Sequence, residues 1–483
     1  SVGFAGPLNE TVCIAMNFSS INPATGEPVW SGPASSPSDV EAAVLAARAA
    51  FQPWARRPAS ERAALLGVFA ATLERRRSAV AAMISREVGK PTWEALAEVG
   101  TMITKVEFSL KAWEQRCQEF IGGPAITRFR PHGVVAVFGP FNFPGHLPNG
   151  HIIPALLAGN SVVFKPSECA PGVAELTASV WREAGLPEGV LTLVQGGRET
   201  GAALADHAGI DGLFFTGSSR AGLWLAERFA RTPGRILALE MGGNNPLVVW
   251  SAGDVAAAAM LCLQSAFATA GQRCTCARRL IVPAGSEGDA LLDALCRQIP
   301  RVRVGPPDAQ PEPYMGPVIS AAAAEGILAA EARLNAAGGK SLVRLRHLRA
   351  GTGLLSPGLM DVTSVAERAD EEIFGPLLQV IRVTDFDAAL NEANATRYGL
   401  AAGLVSDDRA LFERFREEVR AGLINWNQPL TGASGAAPFG GIGLSGNHRP
   451  SGYFATDYCV YPVAGIEVPE LRPQTQLPPG LVD

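Results

Sequence analysis

A chain of 483 residues exceeds the size at which one hydrophobic core stops growing, so two or more domains with clefts are expected. With 47% apolar residues, 18% charged residues and a formal net charge of −5, the chain is neither disordered nor polyanion-seeking. No basic block tracks a phosphate backbone, which removes nucleic acid from the expected partners. Eight cysteines scattered through the chain are no secreted disulfide framework, and no export signal is visible. The longest apolar run, Val255 to Ala270, is too short and too polar for a membrane span, so the expected setting is the reducing cytoplasm.

In chain order, Ser1 to Asn9 reads as an irregular tail, and Ser1 to Phe18 carries no clear first strand ahead of Ile21 and Asn22. From Pro37 to Lys90 apolar residues recur at helical spacing (Val40, Ala43, Val44, Ala47, Phe51). Ser36 and Ser38 are N-cap candidates, and Gly89-Lys90-Pro91 is a stop for the second helix. The helical pattern resumes from Trp93 to about Phe120. Gln118 to Arg130, with Gly122-Gly123-Pro124, suits a projecting hairpin whose partner is the alternating run Tyr458 to Val468.

Short β-rich runs then alternate with helical stretches at Gly133–Phe138, Ser161–Phe164, Val190–Val194 and Gly212–Phe215, the pattern of βαβ units in a doubly wound α/β domain. A second α/β set runs from Pro246–Trp250 through Leu423–Trp426, and Arg472 to Asp483, rich in Pro and polar residues, lies along the surface.

Four runs carry candidate chemistry. Gly271-Gln272-Arg273-Cys274 follows a buried apolar helix and sets a thiol at its end. Such a thiol needs a helix terminus or a nearby cation, for which Arg273 is a candidate, to become a nucleophile; most buried cysteines are inert core residues. Glu240 closes a strand-like run before Gly242-Gly243, where it serves either as a turn cap or as a general base of raised pKa. Asn142 follows a strand in Phe138-Gly139-Pro140-Phe141-Asn142 and reads as a turn residue or as an oxyanion donor. Thr216-Gly217-Ser218-Ser219-Arg220-Ala221-Gly222 leads from strand to helix, and its amides can meet a pyrophosphate, although the G-x-G-x-x-G spacing is absent.

Together with Glu371-Glu372-Ile373-Phe374-Gly375-Pro376 and Pro438-Phe439-Gly440-Gly441, these runs resemble the aldehyde dehydrogenase superfamily, in the family's order and from Ile21 to Gly446. The resemblance implies an α/β fold: a doubly wound cofactor domain, an α/β catalytic domain and a small β oligomerisation flap. The NAD-binding domain would comprise residues 1–112 and 132–242, the catalytic domain 243–445, and the oligomerisation segments 113–131 and 446–483. It further implies Cys274 as nucleophile, Glu240 as acid/base, and Asn142 with the Cys274 amide as oxyanion hole. Lys165 and Glu168 would hold the adenosine ribose, Gly217, Ser218, Ser219, Arg220, Ala221 and Gly222 the pyrophosphate turn, and Glu372 and Phe374 the nicotinamide ribose. A carboxylate at Glu168 repels a 2′-phosphate, which favours NAD over NADP. No metal is implied; the partners are a small aldehyde and further copies of the chain, as a dimer or a dimer of dimers.

Within the superfamily, Asn142–His151, Gly271–Arg279 and Pro438–Ser451 resemble the succinylglutamate semialdehyde dehydrogenases, which serve arginine breakdown. Gly145 and Gly150 would widen the substrate entrance. Arg273 is a bidentate partner for a substrate carboxylate, or the ligand of a backbone carbonyl. Phe439, His448 and Arg449 are further substrate-side candidates, with His448 also readable as a loop residue and Arg449 as a brace. His146, His151 and His448 have no metal-ligand spacing and suit helix starts or loops. Cys276, two positions from Cys274, is a candidate for a regulatory bridge on oxidation. The alternatives are a dehydrogenase for another acidic semialdehyde and a non-catalytic binding relative.

Overall fold

The computed structural model describes residues 17–471 and 478–481, so the expected tail Ser1 to Asn9 and most of the segment from Arg472 onward lie outside the described residues. The described residues open with an antiparallel hairpin, β1 (Asn17–Ile21) and β2 (Pro28–Pro33), which corrects the expectation of no clear strand ahead of Ile21 and Asn22. Its alternation of Asn and Ser with a single Phe is a weak sequence signal. Tertiary contacts supply what the pattern lacks: Phe18 packs on Trp30 at 4.9 Å between ring centroids, and the Ser20 hydroxyl donates to buried Glu87 at 2.5 Å.

Three helices follow: α1 (Pro37–Ala55), α2 (Ala59–Val88) and α3 (Thr92–Arg116). Ser36, not Ser38, caps α1 and forms a reciprocal box with Asp39. Gly89, at φ +79°, ends α2 in the left-handed conformation that only glycine adopts cheaply. The third helix stops at Arg116, short of Phe120, because Phe120 already belongs to β3 (Phe120–Gly122). Strand β3 turns back into β4 (Ala125–Pro131).

The first α/β unit consists of β5 (Val134–Phe138), α4 (His146–Ala158), β6 (Ser161–Lys165), α5 (Pro171–Glu183), β7 (Leu191–Leu193), α6 (Arg198–Asp206), β8 (Gly212–Gly217), α7 (Ser219–Phe229) and β9 (Ile236–Met241). Its five parallel strands stand in the order β7-β6-β5-β8-β9. The chain thus winds outward both ways from β5. Strands covered on both faces explain the unbroken apolar runs, and the crevice between β5 and β8 is where such sheets bind ligands.

The second unit is built on β10 (Asn245–Val249), α8 (Val255–Phe267), β11 (Ala277–Pro283), α9 (Ser286–Gln298), α10 (Ala321–Ala336), β12 (Lys340–Val343), β13 (Gly358–Asp361), β14 (Leu377–Val383), α11 (Phe386–Asn394), β15 (Ala401–Val405), α12 (Arg409–Glu418) and β16 (Leu423–Trp426). Seven strands run β12-β13-β14-β11-β10-β15-β16, with only β12 antiparallel to its neighbour. After a two-residue pairing of β17 (Pro438–Phe439) with β18 (Ser451–Gly452), β19 (Val460–Ile466) pairs along the whole of β4. The expected hairpin and its C-terminal partner therefore form one three-stranded sheet, β19-β4-β3. Among the described residues no helix is long and apolar enough to cross a membrane.

Candidate active site

The C-terminal ends of β5, β8 and β9 face the turn that follows α8, and between them lies a cleft of about 780 Å³. Asn142, Glu240, Cys274, Lys165, Glu168, Gly217, Ser218, Arg220, Ala221, Glu372 and Phe374 all line it. Residues that are distant in sequence thus share one concave space.

The turn before Cys274 is strained. Thr269 and Ala270 both stand at φ +54°, a left-handed geometry costing side-chain-bearing residues about 1–2 kcal/mol each. Gly271 continues at φ +72°, where a Cβ would fall 2.2 Å from the Gly375 carbonyl oxygen. Side-chain donors hold this backbone in place. Arg278 donates to the Gly271 carbonyl at 2.5 Å and to that of Arg273 at 2.9 Å. Asn142 Nδ2 donates to the Gln272 carbonyl at 2.8 Å, and Asn245 Nδ2 to the Cys274 carbonyl at 2.7 Å. Four consecutive carbonyls from Gly271 to Cys274 are pinned in this way. The Asn142 amide carries two N–H donors, so one remains beyond its bond to Gln272.

Glu240 is buried, and in the parallel register it stands beside Thr216 on β8. Neither of its carboxyl oxygens makes a hydrogen bond of normal geometry, although the Cys274 thiol and the Thr216 hydroxyl are close enough to act on it electrostatically. Burial, with Glu372 adding repulsion, raises its pKa to about 8. Burial and the charges of Glu240 and Glu372 push the half-buried Cys274 thiol well above its ordinary value. Arg273, expected beside the thiol, instead pairs with buried Glu94 at 2.7 Å and donates from Nε to Thr269 Oγ1 at 2.7 Å. This corrects the expectation of a thiolate-stabilising arginine: Glu94 holds the guanidinium elsewhere.

On the far wall, Gly242 lets the Glu372 carboxylate come close, since a Cβ there would fall 1.7 Å from Glu372 Oε2 and push that side chain aside. Burial raises the Glu372 pKa while Arg278, 3.5 Å away, opposes that shift; the Arg278 guanidinium also lies 5.2 Å from the Phe374 ring. Ser218 caps α7 by accepting from the Ala221 amide at 3.3 Å. Two expected cofactor residues do not line the cleft. The Ser219 hydroxyl bonds the Tyr398 hydroxyl at 3.1 Å, and Gly222 lets α7 approach β9, since a Cβ there would meet Met241 Sδ at 2.2 Å.

None of the four substrate-side candidates lines this cleft. Phe439 pairs with Ser451 in the β17–β18 ladder, while His448, at φ +62°, and Arg449 are exposed in the intervening loop. Of the two glycines expected to widen the entrance, Gly150 is buried with no atom within 4 Å of where a Cβ would stand, whereas Gly145 is closed by Met102. His146 starts α4, but His151 lies within it, bridging Thr216 Oγ1 (2.9 Å) and the Tyr458 hydroxyl (2.7 Å). The Cys276 thiol is free, fully buried and directed at the Ala268 carbonyl, 3.6 Å away. Sequence reading gave no role to Arg278, Asn245, Trp224 or the Thr216 side chain. Trp224 shows a usable signal, standing three residues after Ala221 on the same helix face.

The sequence profile described as the aldehyde dehydrogenase family matches residues 14–462. N-succinylglutamate 5-semialdehyde dehydrogenase of Chromobacterium violaceum is 57% identical over 465 residues, covering 95% of this chain and 96% of that protein. The Pseudomonas fluorescens enzyme of the same name is 56% identical over 468 residues, covering 96% of each. Among solved structures, a mutant aldehyde dehydrogenase C from Pseudomonas syringae, complexed with NAD+ and octanal, superposes with a TM-score of 0.88 at 31% identity, covering 93% of each chain. With the profile spanning nearly the whole sequence and relatives above half identity, the chain belongs to the aldehyde dehydrogenase family.

Proposed function

We propose that this chain oxidises N-succinyl-L-glutamate 5-semialdehyde to N-succinyl-L-glutamate with NAD. The reading rests above all on Cys274, Glu240 and Asn142 meeting in one cleft beside a strand-to-helix turn suited to a dinucleotide. The choice of aldehyde rests on the names of the two bacterial relatives. A non-catalytic relative would have no use for a strained, four-point-pinned turn in front of its cysteine.

The residues fit NAD. Lys165 is buried and Glu168 exposed at one end of the cleft, where they would take the adenosine ribose; the α7 N-terminus would meet the pyrophosphate, and Glu372 with Phe374 the nicotinamide ribose. When bound, NAD supplies the hydride acceptor. The protein does the rest. Once its proton has passed to water, the Cys274 sulfur adds as a thiolate to the aldehyde carbon, and the spare Asn142 N–H with the Cys274 amide steadies the oxygen as it gains charge. After hydride loss leaves a thioester, the Glu240 carboxylate takes a proton from water, whose oxygen displaces the sulfur and yields the acid. Asn142→Ala should lower kcat by about 10²–10³-fold with KM little changed, measured as NADH formation; a raised KM with kcat unchanged would assign Asn142 to binding instead.

The exposed apolar residues Phe120, Ile121 and Ile466 on the β19-β4-β3 sheet suit assembly into a homodimer or a dimer of dimers. The free cysteines suit a reducing cytoplasm. The deciding measurement is kcat/KM on a panel comprising this semialdehyde, succinate and glutamate semialdehydes and simple aldehydes, each with NAD and NADP. The reading predicts the highest value for N-succinylglutamate semialdehyde with NAD; a higher value on another acidic semialdehyde reassigns the substrate, and no NADH with any aldehyde rejects catalysis.

A further inference from the structure

Glu94, Glu98, Met102 and Lys105 follow one another at helical spacing along one face of α3, and that face packs against the start of α4. Most charges at this seam cancel. Lys90 and Glu98 form a fully buried pair at 2.6 Å, Glu98 also accepts the Gly145 and His146 amides at 2.9 and 3.1 Å, and Arg273 is taken by Glu94. Lys105 is the exception. Its ammonium is buried and donates to the Gly452 carbonyl at 2.7 Å, but among the described residues it has no carboxylate partner. Burial draws its pKa down to about 8. A buried cation without a counter-ion is expensive, and two of its three N–H donors have no partner in that bond.

Two features of α4 accompany it. His146 Nδ1 is buried with no hydrogen-bond partner, and Lys105 is the strongest charge acting on that ring. One turn later, on the same face, is the buried Gly150, whose missing side chain leaves open space within 4 Å. Phe143 links this seam to the reacting centre: it follows Asn142, meets the His146 ring edge-on at 6.4 Å and lies 5.2 Å from the Arg273 guanidinium. An uncompensated ammonium, an idle imidazole nitrogen and room for a small group therefore stand one aromatic ring away from the candidate nucleophile's turn.

We propose that Lys105, His146 and the space at Gly150 form a subsite for a carboxylate of the substrate. The proposal rests on the acidic-semialdehyde reading and names the part of the chain that recognises the acid, a role that Arg273, tied to Glu94, is not free to fill alone. A bound carboxylate would give the Lys105 charge its counter-ion and accept a hydrogen bond from the His146 ring, both strong contacts in a site shielded from water.

The test compares succinic semialdehyde with butanal, equal in carbon number and differing in the terminal carboxylate, in the full-length protein with NAD. Wild type should prefer the acid, and Lys105→Met and His146→Leu should each cut the acid-to-neutral ratio of kcat/KM by about 10-fold or more, chiefly through KM for the acid. A ratio unchanged in both variants, or losses equal for the two aldehydes, would overturn the subsite. If Lys105→Met does not fold, the ratio in His146→Leu decides. Wild type oxidising both aldehydes equally also rejects the subsite, whereas wild type oxidising neither, nor N-succinylglutamate semialdehyde, rejects the catalytic reading.

Discussion

Replacing Cys274 by alanine should lower aldehyde oxidation by at least about 10⁴-fold, because no second cysteine lines the cleft to form the thioester on which both chemical steps depend. The other cysteine nearby, Cys276, is fully buried and occupied with the Ala268 carbonyl. NAD binding should survive, since the residues expected to hold it lie along β6, α7 and the Glu372 loop. Trp224 lines the cleft and offers a fluorescence readout for that binding. Turnover within about tenfold of wild type would remove Cys274 from the mechanism; loss of NAD binding together with activity would mean that the substitution had collapsed the pinned turn.

Glu240→Gln should separate the two chemical steps. The glutamine cannot take a proton from water, so hydrolysis of the thioester should slow by about 10²–10⁴-fold. Rapid mixing should then show a burst of NADH approaching one per active site, followed by a slow steady state. A first turnover slowed as much as later ones would place Glu240 before hydride loss. The pH profile carries the same information. With a pKa of about 8 the side chain is mostly protonated at neutral pH, and the carboxylate that acts as base grows as pH rises. Wild-type hydrolysis should therefore climb from pH 6 toward a plateau above about 8, and this limb should vanish in the glutamine variant.

Much of this arrangement was legible in the chain because it depends on local patterns. Continuous apolar runs marked all five strands of the first sheet but only β10 and β16 of the second, and turn residues at strand ends marked the loops that line the cleft. The β1–β2 hairpin was missed because its pairing depends on Trp30 and Glu87 rather than on any alternation of its own. Arg278 was missed for a related reason: a charged residue inside a strand gives no hint that it is fully buried, with two backbone carbonyls as its main partners. The position of Arg273 beside Cys274 was visible, but the side chain's direction was not, since Glu94, which decides it, is far away in sequence.

Arg278 also makes two distant tasks interdependent. The same guanidinium grips the backbone that aims the sulfur and faces Glu372 and Phe374 across the cleft. A substitution at Arg278 should therefore disturb the turn before Cys274 and the Glu372 side of the cleft together. One buried guanidinium thus ties together two walls of the cleft that are distant in the chain.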